Sequence, residues 1–126
     1  MQEAVRKFHL ESGLESRRTP HPMQERPNFM LEFRSSLIKE ETEEALEALA
    51  SGSLVEISKE LADVLYVVFG TAVALGIDLE EIFYIVHESN LEKLSSIERR
   101  EDGKILKGKN YRDPKERISF VLNYSD

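Results

Sequence analysis

Four carboxylates at helical spacing are the residues of this sequence best suited to chemistry. Glu41 and Glu44 are three positions apart, and so are Glu60 and Asp63. A spacing of three places both members of a pair on one helical face. Four carboxylates at one place repel one another and are costly to bury without a partner. Because a hard divalent cation with oxygen ligands relieves both problems, the pattern predicts a site for Mg²⁺, with Mn²⁺ as the alternative.

Each acidic pair lies in a helical row that continues into apolar positions. Glu41 and Glu44 lie between Leu37 and Ala48, and Glu60 and Asp63 precede Val67, Thr71 and Ala74 in a second row. The period of both rows is that of an α-helix. The acids therefore lie at the margin of a buried face, although a solvated Glu-rich surface is the ordinary interpretation of either pair alone.

The helices that must position these acids are bounded by turn and capping residues. The sequence predicts helices over about 3–14, 29–50, 54–75 and 79–95, with Asn28 as the N-cap of the second. Gly52 and Gly76 are typical C-terminal caps, and Ser53 and Asp78 each have a Glu three positions later, as in a capping box. Turns this short predict antiparallel neighbours, and hence an all-α antiparallel bundle of four main helices that brings the acidic pairs together.

The C-terminal part of the chain follows a different pattern. Residues 98–109 are basic and contain two glycines, and Ile118, Phe120 and Leu122 alternate as in a short strand. We expect a short irregular or hairpin tail, or alternatively a tail packed on another subunit. With no linker long enough to divide it, the chain is expected to form one domain over residues 1–126.

Composition excludes several classes of protein. Hydrophobic residues make up 40% of the 126 positions and there is no cysteine, so the chain has a core but no disulfide or thiolate site. The net charge of −7 argues against a nucleic-acid partner, which needs a basic face. No apolar run approaches a membrane span, and no apolar segment follows the N-terminus as in a signal peptide. We therefore expect a cytoplasmic location and no membrane partner.

Five segments carry a resemblance to a known group of enzymes. They resemble segments of the all-α NTP pyrophosphohydrolase superfamily, in its MazG-like and phosphoribosyl-ATP pyrophosphohydrolase-like branch. In chain order the family segments are EExxE, ExxD, the following turn, the helix with Asn and Lys, and the Lys-Gly-Pro-x-Tyr tail. The segments are 37–45, 60–66, 76–79, 87–93 and 103–111. The resemblance covers about residues 30–113, and it departs at Lys109, where that branch often has Pro.

The resemblance implies both an activity and a partner. It implies an all-α fold, Mg²⁺ dependence, and cleavage of a nucleoside triphosphate between its α and β phosphates. It also implies a homo-oligomer, either a dimer or a tetramer. The products would be a nucleoside monophosphate and pyrophosphate, and nucleotide-pool sanitising would be the cellular role.

The resemblance also implies roles for residues outside the acidic pairs. Asn90 would contact sugar, phosphate or metal, and Lys93 would contact a phosphate. Lys107 would close over the pyrophosphate end. Because Asn90 shares a helical row with Val86, we expect it near the core. One carboxylate would act as general base, and the candidates are Glu40 and Glu41.

Two other interpretations of the protein remain open or weak at this point. The main alternative is a non-enzymatic helical oligomer that uses the acids for ion binding or protein interaction. A di-metal carboxylate bundle requires Glu-x-x-His on two helices, a pairing that does not occur here. Arg34 is a weaker candidate for the site, and a surface ion pair is the more common role for such a residue. We interpret the three histidines as structural or surface residues because they have no ligand spacing.

Overall fold

The computed structural model describes residues 1–22, 25–95, 100–104 and 111–123, which form helices and no strand. The expected all-α fold with four main helices is confirmed. A short 3₁₀ turn, Lys93–Ser95, follows the fourth helix. The helices are α1 (Gln2–Ser12), α2 (Asn28–Ser51), α3 (Leu54–Leu75), α4 (Leu79–Glu92) and α5 (Lys115–Leu122).

Local capping sets the predicted boundaries of α2, α3 and α4. Gly52 and Gly76 both have φ of 74°, the left-handed conformation that glycine adopts without a steric penalty. Ser53 Oγ accepts a hydrogen bond from the backbone N–H of Glu56 at 3.4 Å. Asp78 caps α4 in the same way. Because these caps involve residues close in sequence, the spacing alone was sufficient to predict them.

Two local predictions were wrong. Asn28 is the first residue of α2 and not its N-cap, because Pro27 precedes it in an extended conformation with φ of −70°. The residues expected to form a short strand form α5. Ile118 and Leu122 are also i and i+4, so the same apolar residues suit one helical face. The backbone N–H of Ile118 donates to the carbonyl of Pro114 at 3.0 Å, which starts that helix.

The chain divides into two compact units, Met1–Ile77 and Asp78–Asp126, which we describe separately. In the first unit α1 and α2 both pack against α3. Small residues such as Ala45, Ala48 and Ala72 are buried there, so the helix backbones can approach closely. The larger members of this core are Val5, Met30, Phe69 and Val73. The single domain expected from the sequence stays a prediction.

The C-terminal end of α3 is completed by the segment that follows α1. The backbone N–H of Arg17 donates to the carbonyl of Val73 at 2.9 Å, and that of His21 donates to Leu75 at 2.8 Å. The last carbonyls of a helix have no partner within the helix. This returning segment supplies two of the missing donors and so ties α1 to α3.

In the second unit, two arginines connect the C-terminal segment to α4. Arg117 on α5 donates to a carboxylate oxygen of Glu88 at 2.7 Å and to the hydroxyl of buried Ser89 at 2.8 Å. Arg112 forms an ion pair with Glu92 at 2.7 Å. These charge-assisted contacts therefore hold the described part of the tail on α4.

Many large apolar side chains of the first unit are exposed, including Phe8, Leu46, Leu49, Leu61, Leu65 and Tyr66. None of the helices in the described residues is by itself long and apolar enough to cross a membrane. The consecutive helices α3 and α4 reach the length and apolar composition of a membrane span only when they are counted together across the break between them.

Candidate metal centre

Glu41, Glu60 and Asp63 meet where α2 packs on α3. Each offers one carboxylate oxygen, and these oxygens all lie within 4.8 Å of one another. All three side chains are half-buried. The folding of α2 back on α3 thus brings three of the four predicted ligands together, one from α2 and two from α3.

The hydrogen bonding of this acidic group fits a cation. Oε2 of Glu41 and Oε2 of Glu60 are buried and have no hydrogen-bond partner among the described residues. A buried carboxylate oxygen without a donor is energetically unfavourable, and such an atom is a natural metal ligand. A hard divalent cation that prefers oxygen is therefore the ligand that this donor set suits best.

Glu44, the fourth predicted ligand, lies beside this group and is exposed. The negative charge of Glu41, and then that of Glu60, raises the pKa of the Glu44 carboxyl above its usual value. Glu44 thus interacts electrostatically with Glu41 and Glu60, although it is not one of the three residues whose oxygens converge. Its position is the solvent side of the acidic group.

Lys59 is a residue of this site that the sequence analysis did not identify. Its Nζ lies 2.6 Å from Oδ2 of Asp63 and 3.4 Å from Oε1 of Glu60. The hydrogen bond and charge of Asp63 raise the pKa of Lys59. The i, i+4 spacing of Lys59 and Asp63 is the signal that could have revealed this contact.

The two candidates for the general base differ in their surroundings. Glu40 is exposed, whereas Glu41 is half-buried and has the orphan oxygen described above. Adjacent residues on a helix point about 100° apart, and only Glu41 belongs to the converging group. The catalytic role of either residue stays a prediction.

The predicted substrate-binding residues belong to the second unit. Asn90 is exposed, so the expectation that it lies near the core is wrong. The neighbouring Ser89 is the residue that faces inward, with 1% of its surface exposed. Lys93 Nζ lies 5.4 Å from the centroid of the Tyr111 ring. Lys107 lies outside the described residues, and the roles of all three predicted residues stay predictions.

Arg34 is buried in the first unit, with 4% of its surface exposed, so its interpretation as a surface ion-pair residue was wrong. Its Nε donates to Thr71 Oγ1 at 3.1 Å, and its Nη2 donates to the carbonyl of Val67 at 3.0 Å. Space for this guanidinium comes from Gly70. A Cβ there would collide with Arg34 and lie 2.9 Å from Nε2 of His9.

Comparison with known proteins agrees with this geometry. Residues 5–90 match the family model described as Phosphoribosyl-ATP pyrophosphohydrolase, a span that includes all three converging acids. No curated protein matches the chain. The family comprises pyrophosphohydrolases, which are hydrolases of phosphoric anhydrides, and it typically depends on a divalent metal. The chain therefore belongs to the phosphoribosyl-ATP pyrophosphohydrolase family, within the MazG-like all-α NTP pyrophosphohydrolase superfamily.

Proposed function

We propose that this chain is a cytoplasmic, Mg²⁺-dependent pyrophosphohydrolase that converts an NTP or dNTP to the monophosphate and pyrophosphate. We further propose that it serves to sanitise the nucleotide pool. The observation that carries the proposal is the convergence of Glu41, Glu60 and Asp63 within 4.8 Å, with two orphan carboxylate oxygens. Membership of the family supports hydrolysis of a phosphoric anhydride and leaves the substrate open.

In this proposal the acidic group holds Mg²⁺, or Mn²⁺, through Glu41, Glu60 and Asp63, with Glu44 on the open side. A bound cation would neutralise charge on the triphosphate and would lower the pKa of a water molecule for attack. A carboxylate must then accept the proton of that water, and the candidates are Glu40 and Glu41. The half-buried position of Glu41 beside the other acids favours Glu41.

The leaving pyrophosphate requires positive charge that the acidic group cannot provide. We propose that Lys93 binds a phosphate, that Asn90 contacts the sugar, a phosphate or the metal, and that Lys107 closes over the pyrophosphate end. Amide and ammonium donors on an exposed helix end are chemically suited to phosphate oxygens. These roles rest on the resemblance of residues 87–93 and 103–111 to the family segments.

We also propose that the chain acts as a homo-oligomer, either a dimer or a tetramer. Exposed apolar side chains on α2 and α3, among them Leu46, Leu49, Leu61 and Leu65, support this proposal. Large contiguous apolar patches on a soluble chain usually mark an interface.

The proposal is tested by the products of the reaction in ¹⁸O-labelled water. Incubation of a panel of NTPs and dNTPs with Mg²⁺ should release pyrophosphate and the monophosphate. Attack at the α-phosphorus places the label in the monophosphate, and attack at the β-phosphorus places it in pyrophosphate. NDP and orthophosphate as first products would contradict the proposal. Metal binding without turnover of any nucleotide would favour the non-enzymatic oligomer instead.

A further inference from the structure

A cavity of about 430 Å³ lies in the first unit beside α1 and the first two turns of α2. Its walls are mainly apolar, and they include Leu14, Pro27, Phe29, Met30 and Phe33. The polar residues His9, Glu15 and Arg34 also line it. Small-molecule sites have volumes in this range, and they also combine apolar walls with a few polar groups.

Arg34 brings a charged hydrogen-bond donor to the wall of this cavity. The guanidinium is buried and, within the described residues, forms no ion pair and has no hydrogen-bond partner at Nη1. Its two contacts, to Thr71 and Val67, are with neutral oxygens of α3. Burial without a counter-charge lowers the pKa of Arg34. A ligand group that accepts hydrogen bonds would relieve this unfavourable burial.

The walls favour a flat ring as the rest of the ligand. The guanidinium carbon of Arg34 lies 5.6 Å from the centroid of the Phe33 ring. Phe29 is 76% exposed, so an aromatic face is available at the mouth of the cavity. Aromatic side chains stack on heterocyclic bases of any sequence. The cavity thus suits an aromatic heterocycle that carries a carbonyl acceptor.

The position of the cavity along α2 relates it to the acidic group. Arg34 and Glu41 are seven residues apart, almost two full turns, so they share a face of the helix. Their separation along the axis is about 10 Å, at 1.5 Å per residue. That distance is comparable to the reach from the base of a nucleotide to its α-phosphate. A nucleotide with its phosphates at the acids could therefore place its base in the cavity.

We infer that this cavity binds the nucleobase and that Arg34 selects bases with a ring carbonyl over those with an amino group in its place. A guanidinium has only donors, so it pairs with the 4-oxo group of uracil or the 6-oxo group of hypoxanthine. The amino groups at the same positions of cytosine and adenine are also donors, so they cannot accept a hydrogen bond from Arg34. This inference rests on the proposed function for the location of the phosphates, whereas recognition of the base requires no metal.

The test uses nucleosides, which carry no phosphate, and the full chain in metal-free buffer. Uridine is compared with cytidine, and inosine with adenosine, by calorimetric or NMR titration. Within each pair the oxo nucleoside should bind about tenfold more tightly, the ratio expected for one hydrogen bond to a charged donor. Equal affinities within the pairs, or no binding of any nucleoside, would overturn the inference.

Variants assign the preference to the cavity. Arg34→Gln should remove the difference within each pair. Because Arg34 also holds α2 to α3, that variant could fail to fold, and Phe29→Ala at the exposed rim provides the second test. Phe29→Ala should weaken binding of uridine and inosine, whereas Val55→Ala, which changes an exposed apolar residue outside the cavity, should not. Unchanged binding by Phe29→Ala would place the nucleosides elsewhere.

The two proposals can fail separately. Pyrophosphate release from Mg²⁺-NTP tests the reaction, and nucleoside affinity tests the cavity. Turnover of an NTP without any oxo preference in nucleoside binding would reject the inference and keep the function. An oxo preference without turnover would reject the function and keep the base site.

Discussion

The ammonium nitrogen of Lys59 lies 2.6 Å from Oδ2 of Asp63, so a cation of the chain itself is held at one side of the acidic group. Lys59 is 65% exposed, and exposed ion pairs contribute little to stability. Its side chain can therefore leave Asp63 at small cost. This arrangement makes Lys59 a displaceable counter-ion that would compete with a divalent cation for the carboxylates of Asp63 and Glu60.

Lys59→Met should increase the affinity for Mn²⁺ by about two- to fivefold, because an exposed pair is a weak competitor. Electron paramagnetic resonance titration of free Mn²⁺ measures this directly. Lys39→Met is the matched control, since Lys39 is also exposed but lies on α2 and forms no ion pair among the described residues. An unchanged or weaker affinity in Lys59→Met would show that the ammonium does not compete.

Glu60→Gln should lower the affinity for Mg²⁺ and Mn²⁺ by about tenfold or more, because it replaces a half-buried ligand oxygen by an amide. The same Mn²⁺ titration provides the measurement. Glu43→Gln, an exposed change on α2 outside the converging group, should bind metal like the parent. If both variants bind equally well, Glu60 is not a ligand.

Glu44→Gln should raise the melting temperature of the protein in EDTA. The charges of Glu41 and Glu60 oppose ionisation of Glu44, as its raised pKa indicates, so a neutral side chain removes repulsion. Thermal unfolding followed by circular dichroism measures the change. Glu47→Gln on the same helix is the control, and excess Mg²⁺ should reduce or reverse the gain. A lower melting temperature in EDTA would argue against clustered charge.

The ion pair of Glu92 and Arg112 should make the stability of the second unit dependent on pH. The hydrogen bond from Arg112 lowers the pKa of Glu92 from its usual value of 4.5. Because the pKa of Glu92 is lower in the folded state, the ion pair stabilises the folded state at pH values above the usual carboxyl pKa. This stabilisation is lost as the pH falls through the lowered pKa of Glu92. Thermal unfolding at a series of acidic pH values should therefore show a smaller decrease in melting temperature for Arg112→Gln than for the parent. Lys115→Gln, an exposed change nearby, should behave like the parent.

The protein should migrate as an oligomer in solution. The exposed Leu46 and Leu49 of α2 would otherwise leave apolar surface in water. Light scattering at micromolar concentration should give a mass of at least twice 14.5 kDa. Leu46→Lys combined with Leu49→Lys should reduce that mass, whereas a monodisperse parent of 14.5 kDa would contradict the prediction.

Features set by neighbouring residues could be predicted from the sequence. Gly52 and Gly76 end their helices, and Ser53 and Asp78 begin the next ones, because each cap involves only a few adjacent positions. The acidic pairs also followed from spacing, since i, i+3 places two side chains on one face whatever the rest of the chain does.

Features that depend on tertiary packing could not be predicted in the same way. Nothing local indicates that the guanidinium of Arg34 is buried, because the space for it comes from Gly70 on another helix. The strand expected at Ile118, Phe120 and Leu122 was wrong because Ile118 and Leu122 are also i and i+4 on one helical face, whereas Phe120 is 88% exposed. Asn90 was misplaced by one residue, since the contact of Ser89 with Arg117 decides which side of α4 faces inward.

The turn between α2 and α3 is only Gly52 and Ser53, whereas α1 joins α2 through the much longer connection from Ser12 to Asn28. The entropy lost in closing a loop grows with its length, and contacts between residues close in sequence form early in folding. The α2–α3 hairpin should therefore form before α1 docks. Its two helices already carry Glu41 and Glu60, so like charges come together at that early stage. A divalent cation bound there would stabilise the folding hairpin as well as the finished protein, and metal supply would then affect the yield of folded chain.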